Sequence, residues 1–174
     1  GRLIVRSNGV ATDAAILSGG KAIVSSGGVI KGTAVGVGGH VTVQAGGEID
    51  LAAGATLGLV LASGAREVIS GVRATGAVAG KGVALVVSQG GIAANARVLS
   101  GGSIVFAGGT ASGLTVASGG LEIVASGITA RGLTAAKGAT LIVSRGGTAA
   151  SATIGAGGTI AFAGGAATNL KVAS

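Results

Sequence analysis

Glycines recur through the second half of the chain at 71, 82, 90, 101, 108, 119, 127, 138, 146, 157 and 164, with gaps that alternate between eleven and seven or eight. One long arm and one short arm make a unit of 18 or 19 residues. A fixed period in this range is the mark of a solenoid, because a unit that short cannot bury an apolar face until it stacks on its neighbours.

The long arms carry the detail. Counted from the opening glycine, the third place holds Ala74, Ala93, Ala111, Ala130, Ala149 and Ala167. The sixth holds Ala77, Ala96, Leu114, Leu133, Ala152 and Leu170, and the eighth Ala79, Val98, Val116, Ala135, Ile154 and Val172. Sixth and eighth are two apart, so both side chains lie on one face of a strand. Third and sixth are three apart, which requires a bend between them. The fifth place is Gly76, Asn95, Gly113, Gly132, Ser151 and Asn169, mostly residues that tolerate a left-handed backbone.

The short arms alternate too. Leu85 and Val87, Ile104 and Phe106, Leu141 and Val143, and Ile160 and Phe162 face inward, while Val86, Val105 and Ile142 make the outer face apolar as well. Three short sides per unit, stacked in parallel, describe an all-β parallel β-helix. The right hand is expected because parallel crossovers prefer it.

Asn8 and Gly27 open earlier long arms, with Asp13 and Gly32 at the bends. Ala11, Ala14 and Ile16, then Ile30, Thr33 and Val35, point inward. The short arm from Gly38 places Val41 and Val43 inside. Register is lost at 46–64, where Gly46–Gly54 reads as a second short arm and Leu57, Leu59 and Leu61 alternate in a shortened long arm. An irregular coil is expected there, within a single β-helix spanning 1–174. Nine coils at ~4.8 Å each make a rod of roughly 43 Å.

Composition agrees with a thin interior. There are 38 glycines, no proline and only two aromatic residues, where a globular core would recruit more rings. Collagen's glycine at every third residue is absent. Without cysteine, disulfides and thiolate metal sites are excluded. Glycine, serine or threonine breaks each apolar run well before the roughly 20 residues a membrane helix needs. Gly1 is not a start residue and no leader precedes it, so the chain reads as an excised or processed segment. The net charge is +7. The basic residues, Arg2, Lys31, Arg73, Arg97, Lys137 and Lys171 among them, fall in different columns. With no stripe and no stacking platforms, a nucleic-acid partner is not expected.

The segments SGGKAIVSSGGVIKGTAVGVGG and SGGSIVFAGGTASGLTVASGG resemble the AIDA-type repeats of self-associating bacterial autotransporter adhesins, and the resemblance covers nearly the whole chain. It implies a β-helical passenger displayed outside the outer membrane by a C-terminal barrel, acting in adhesion or cell–cell aggregation. Its partners would be identical passengers, side by side or end to end, or host-surface molecules. It further implies O-heptosylation by a dedicated transferase, and the matching serines precede Gly-Gly corners: Ser18, Ser26, Ser100 and Ser118. Alanine stands where many relatives carry threonine or asparagine, so polar ladders are sparser here. No Asn-x-Ser/Thr sequon is present.

Other chemistries find little to work with. Polysaccharide-active β-helices need carboxylates converging on one face. Of Asp13, Glu48, Asp50, Glu67 and Glu122, only Glu48 and Asp50 are spaced to share one. His40 stands alone and makes neither a triad nor a metal site, so it is read as an exposed strand residue. Neither enzymatic activity nor a cofactor is expected. Glu67 falls near an inward place, and a local shift that puts Val68 or Ile69 inside in its stead is expected. Phe106 and Phe162 occupy equivalent places and read as core. The glycine pairs lack the Lys-Ser/Thr ending of a phosphate loop. Thr115, Thr134 and Thr153 stand at the seventh place of consecutive long arms. They should form an outward ladder of the kind an ice-binding solenoid uses, flanked by Arg97 and Lys171. The remaining alternative is a passive spacer.

Overall fold

The computed structural model describes residues 1–54 and 59–173. It is an all-β parallel solenoid of about nine turns, and its strands pair in parallel. One sheet runs its length. Its strands are, in order, Val10–Thr12, Val29–Val35, Glu48–Gly54, Arg66–Ile69, Ala84–Ser88, Ser103–Ala107, Leu121–Val124, Thr140–Ser144 and Thr159–Ala163. Beside its first part lies a sheet of Arg2–Val5, Lys21–Val24, His40–Val43 and Leu59–Leu61. From Arg73 onward the two halves of each long arm form short three-stranded sheets of their own.

The corners explain the Ser-Gly-Gly motif. Gly101 has φ of 74°, a left-handed conformation that opposes a Cβ by about 1–2 kcal/mol. Gly102 is excluded from carrying a side chain for a different reason: its Cβ would run into the carbonyl oxygen of Ala79 on the coil below. The bends follow the same rule, since Asp13, Asn95, Ser151 and Asn169 all take positive φ.

The corners also bond to one another. Backbone N–H groups donate up the stack from Asn8 to Gly27 (3.1 Å), Gly27 to Gly46 (2.9 Å), Gly46 to Gly64 (3.0 Å) and Gly64 to Gly82 (2.8 Å). The series continues from Gly82 to Gly101 (2.8 Å), Gly101 to Gly119 (2.8 Å), Gly119 to Gly138 (2.7 Å) and Gly138 to Gly157 (2.8 Å). This ladder exposes an exchange of faces. Asn8, Gly27 and Gly46 open long arms, whereas Gly82 and its successors open short arms. In the first coils the long arms occupy the length-running sheet; from Arg66 the short arms do.

The exchange occurs at the stretch where the sequence loses register. Glu48–Gly54 is not a second short arm. It pairs with the long-arm strand Val29–Val35, with register shifts between Ile30 and Thr33 and again to Ala34. Leu59–Leu61 pairs with the short-arm strand His40–Val43. Leu57 lies outside the described residues.

The interior is filled by the anticipated rows. Ile30, Ile49, Ile69, Leu85, Ile104, Phe106 and Leu141 are essentially fully buried, each contributing about 1.5–3 kcal/mol through removal of its side chain from water. The alanine columns share the core, with Ala74, Ala93, Ala130 and Ala149 buried. Phe162 departs from the expected core role. It is in register with Val143 but 49% exposed, because no described coil lies over it.

Glu67 departs as well. No shift spares it from the interior. It keeps strict register between Ile49 and Leu85 and is fully buried together with Ile69. Regular hydrogen bonding to both neighbouring coils outweighs the cost of desolvating one carboxyl.

Candidate functional site

The face exchange gathers serines that the period alone keeps apart. The residue before each rung of the corner ladder forms a row along the rod: Ser7, Ser26, Ala45, Ser63, Lys81, Ser100, Ser118, Lys137 and Ala156, all exposed. Ser26, Ser100 and Ser118 share this row. Ser18 does not; it sits on the other corner of the first coils, where Gly19 N–H donates to Gly38 O (2.9 Å). Ser7 and Ser63 escape the sequence reading because they precede Asn8-Gly9 and Gly64-Ala65 rather than a glycine pair. Along the row each hydroxyl lies over the next coil's glycine. A Cβ on Gly46 would stand 2.8 Å from Ser26 Oγ, and one on Gly119 2.7 Å from Ser100 Oγ. The missing side chain is what makes room for the hydroxyl.

The threonine row is interrupted. Thr134 pairs with Thr153, and Thr153 with Lys171. Thr115 pairs with Arg97, but its strand belongs to a different sheet from that of Thr134.

Glu48 and Asp50 do share an outward face. Across it, Arg66 Nη1 donates to Glu48 Oε2 at 3.3 Å. Burial first, then the neighbouring Glu48 carboxylate, raises Asp50 above its ordinary pKa, while Lys31 draws it back. An arginine bound to one member of the pair competes with any role as paired acid and base. His40 is exposed, as read from its strand position. It has company that the columns did not reveal, since Arg2, Lys21 and His40 stand in register as one outward row. With Ala22, Ile23 and Thr42 they line a shallow groove of about 520 Å³.

The interior holds the least ordinary chemistry. Glu67 and Glu122 are fully buried, and none of their carboxyl oxygens has a hydrogen-bond partner. Burial pushes Glu67 up to about 7 and Glu122 up to about 8. Glu122 is in register between Ile104 and Leu141. Its place, three after a corner glycine, is the signal that could have identified it as inward. No group of three His, Cys, Asp or Glu suited to a metal occurs among the described residues, and no described helix is long and apolar enough to cross a membrane.

Fold and surfaces together define a structural solenoid: a stacked rod whose repeated chemistry lies on its corners. Among solved structures, it is similar to a hyper-glycosylated fragment of TibA, whose glycosylation is catalysed by TibC. The identity is 26%, over all of this chain and 88% of that one, with a TM-score of 0.39. No family model matches the sequence, and no curated protein does.

Proposed function

We propose that this chain is an adhesive stretch of an autotransporter passenger, displayed on the bacterial surface and engaging identical rods or host-surface molecules. The observation that carries this reading is the unbroken corner ladder from Asn8 to Gly157. It makes a stiff rod and repeats one backbone corner along its length, with a serine before five of its glycine or asparagine rungs. Residues 1–174 act as one unit, and the faces exchange between the strands Glu48–Gly54 and Arg66–Ile69. Contact comes from many weak interactions along the faces, with the Arg2–Lys21–His40 row available to acidic partners.

The exposed serine row makes the chain an acceptor for O-heptosylation. Its hydroxyls stand at turns beside glycines, where a sugar meets little obstruction. A heptosyltransferase is then a partner during biosynthesis.

The test is a settling assay with cells that display the chain, alongside beads coated with it. An adhesive rod clumps both. A passive spacer leaves both dispersed, and that result would end the adhesive reading.

A further inference from the structure

Between the coil that holds Gly113 and the one that holds Gly132, the rod is joined along one face and parted along the others. The length-running sheet continues through Ile104, Glu122 and Leu141, and Gly119 N–H still donates to Gly138 O. Among the described residues, however, no pairing joins Thr110–Ser112 to Thr129–Arg131, or Thr115–Val116 to Thr134–Ala135.

The missing bonds can be named from the coils around them. Thr115 N–H donates to Ala96 O (2.9 Å) and Thr153 N–H to Leu133 O (2.8 Å); the matching pair at the seam is Thr134 N–H and Leu114 O. Asn95 N–H donates to Ser112 O (2.7 Å) and Ser151 N–H to Thr168 O (2.7 Å); the matching pair is Gly113 N–H and Arg131 O. Two carbonyls therefore face the seam without their usual donors. The parting coincides with successive leucines, Leu114 and Leu133, in a column where Ala77 and Ala96 let coils close.

A cavity of about 160 Å³ opens here, lined by Gly113, Leu114, Glu122, Arg131, Gly132 and Thr134 among others. Both bends are glycine, so no bend side chain covers the mouth. Glu122 lies inside, buried, with both carboxyl oxygens unpartnered. An orphaned buried carboxyl beside unpaired carbonyls is costly unless something satisfies them together.

We propose that this seam binds a hard divalent cation of the calcium type, with Glu122 as its carboxylate ligand and the carbonyl oxygens of Leu114 and Arg131 beside it. Every acceptor offered is oxygen; no thiolate or imidazole is present. Calcium takes six to eight oxygens, mixing carboxylate, backbone carbonyl and water in flexible geometry, whereas magnesium demands a tighter octahedron and sheds water reluctantly. Water from the open mouth completes the shell. Arg131 follows the inward Ala130 on its strand, so its side chain is exposed and its carbonyl is the group that meets the ion. With one carboxylate, which burial keeps protonated at neutral pH and which releases its proton to water as the ion enters, binding belongs at the weak, extracellular end, about 10⁻⁴–10⁻³ M. The bound ion ties the two parted coils together.

Calcium chloride is titrated into the chain at constant ionic strength, following the melting temperature and the amide resonances of Gly113 and Gly132. The expected result is a saturable rise in melting temperature with shifts at those two glycines. In Glu122→Gln, affinity falls at least tenfold, while Glu48→Gln responds as the parent does. A parent with no saturable response overturns the proposal, as does a response that survives in Glu122→Gln or shifts confined to the Glu48–Asp50 face. If Arg131→Gln rather than calcium changes the environment of Glu122, the carboxyl has an internal counter-ion and the cation site is refuted. Should Glu122→Gln not fold, the glycine resonances of the parent decide alone.

Discussion

Glu67 stands in register beneath Leu85, its carboxyl facing the same interior that Leu85 fills. An ionisable group in an apolar row makes the rod's stability depend on pH. Burial raises the Glu67 pKa from 4.5 to about 7, so the folded state holds the proton more tightly than the unfolded chain. The contribution is fully present below about pH 4.5, is lost as pH rises toward 7, and is flat above. The difference is about 3 kcal/mol at 1.36 kcal/mol per unit. Urea denaturation at fixed pH values should show this decline in the parent. In Glu67→Gln the Glu67 portion of the slope should vanish, and Glu67→Leu should exceed the parent in stability above pH 7.

Thr33 is a smaller instance. It is fully buried with its hydroxyl unpartnered, beside the register shift in Val29–Val35. Thr33→Val keeps the shape and removes the orphan group, so stability should rise by about 1 kcal/mol. Thermal melts of the two proteins check it.

The two glycines of a corner should respond differently to alanine. Gly101→Ala places a Cβ on a left-handed residue and should lose about 1–2 kcal/mol. Gly102→Ala must displace the Ala79 carbonyl and with it the stacking of two coils, so its loss should be the larger. Melting temperatures of the single variants rank them, and the reverse order would contradict the steric account.

Co-expression with a heptosyltransferase should modify the corner row. Peptide mass mapping is expected to find sugar on Ser7, Ser26, Ser63, Ser100 and Ser118, and none on the half-buried Ser25 and Ser103. Modification scattered without regard to the corner would remove the row as the acceptor.

Much of this molecule is legible before any coordinates. The bends at Gly76, Asn95, Gly113, Gly132, Ser151 and Asn169 all prove left-handed, because that conformation is a local property of one residue. The inward rows are legible for a similar reason, since a two-residue period puts alternate side chains on one face. Glu67 defies the local expectation because the desolvation cost of a carboxyl belongs to one residue, whereas its place inside belongs to the strand. In the rod the choice belongs to the whole strand: moving one side chain out would move Ile69 as well and break the bonding to two coils. Arg2, Lys21 and His40 form a row because each follows a residue that stacks across the first three coils, which a tally of basic residues does not show.

The chain by itself determined the period, the corners and what lies inward, since these follow from glycine's freedom at single positions and from the alternation of strands. Only the tertiary structure decided which side of one coil lies on which side of the next. The exchange of faces between the strands Glu48–Gly54 and Arg66–Ile69 shows in the sequence only as a break in the period, and two coils parting beside Glu122 breaks no rule of spacing. Both outcomes are set by hydrogen bonds and packing between residues some eighteen or nineteen positions apart, summed over neighbouring coils.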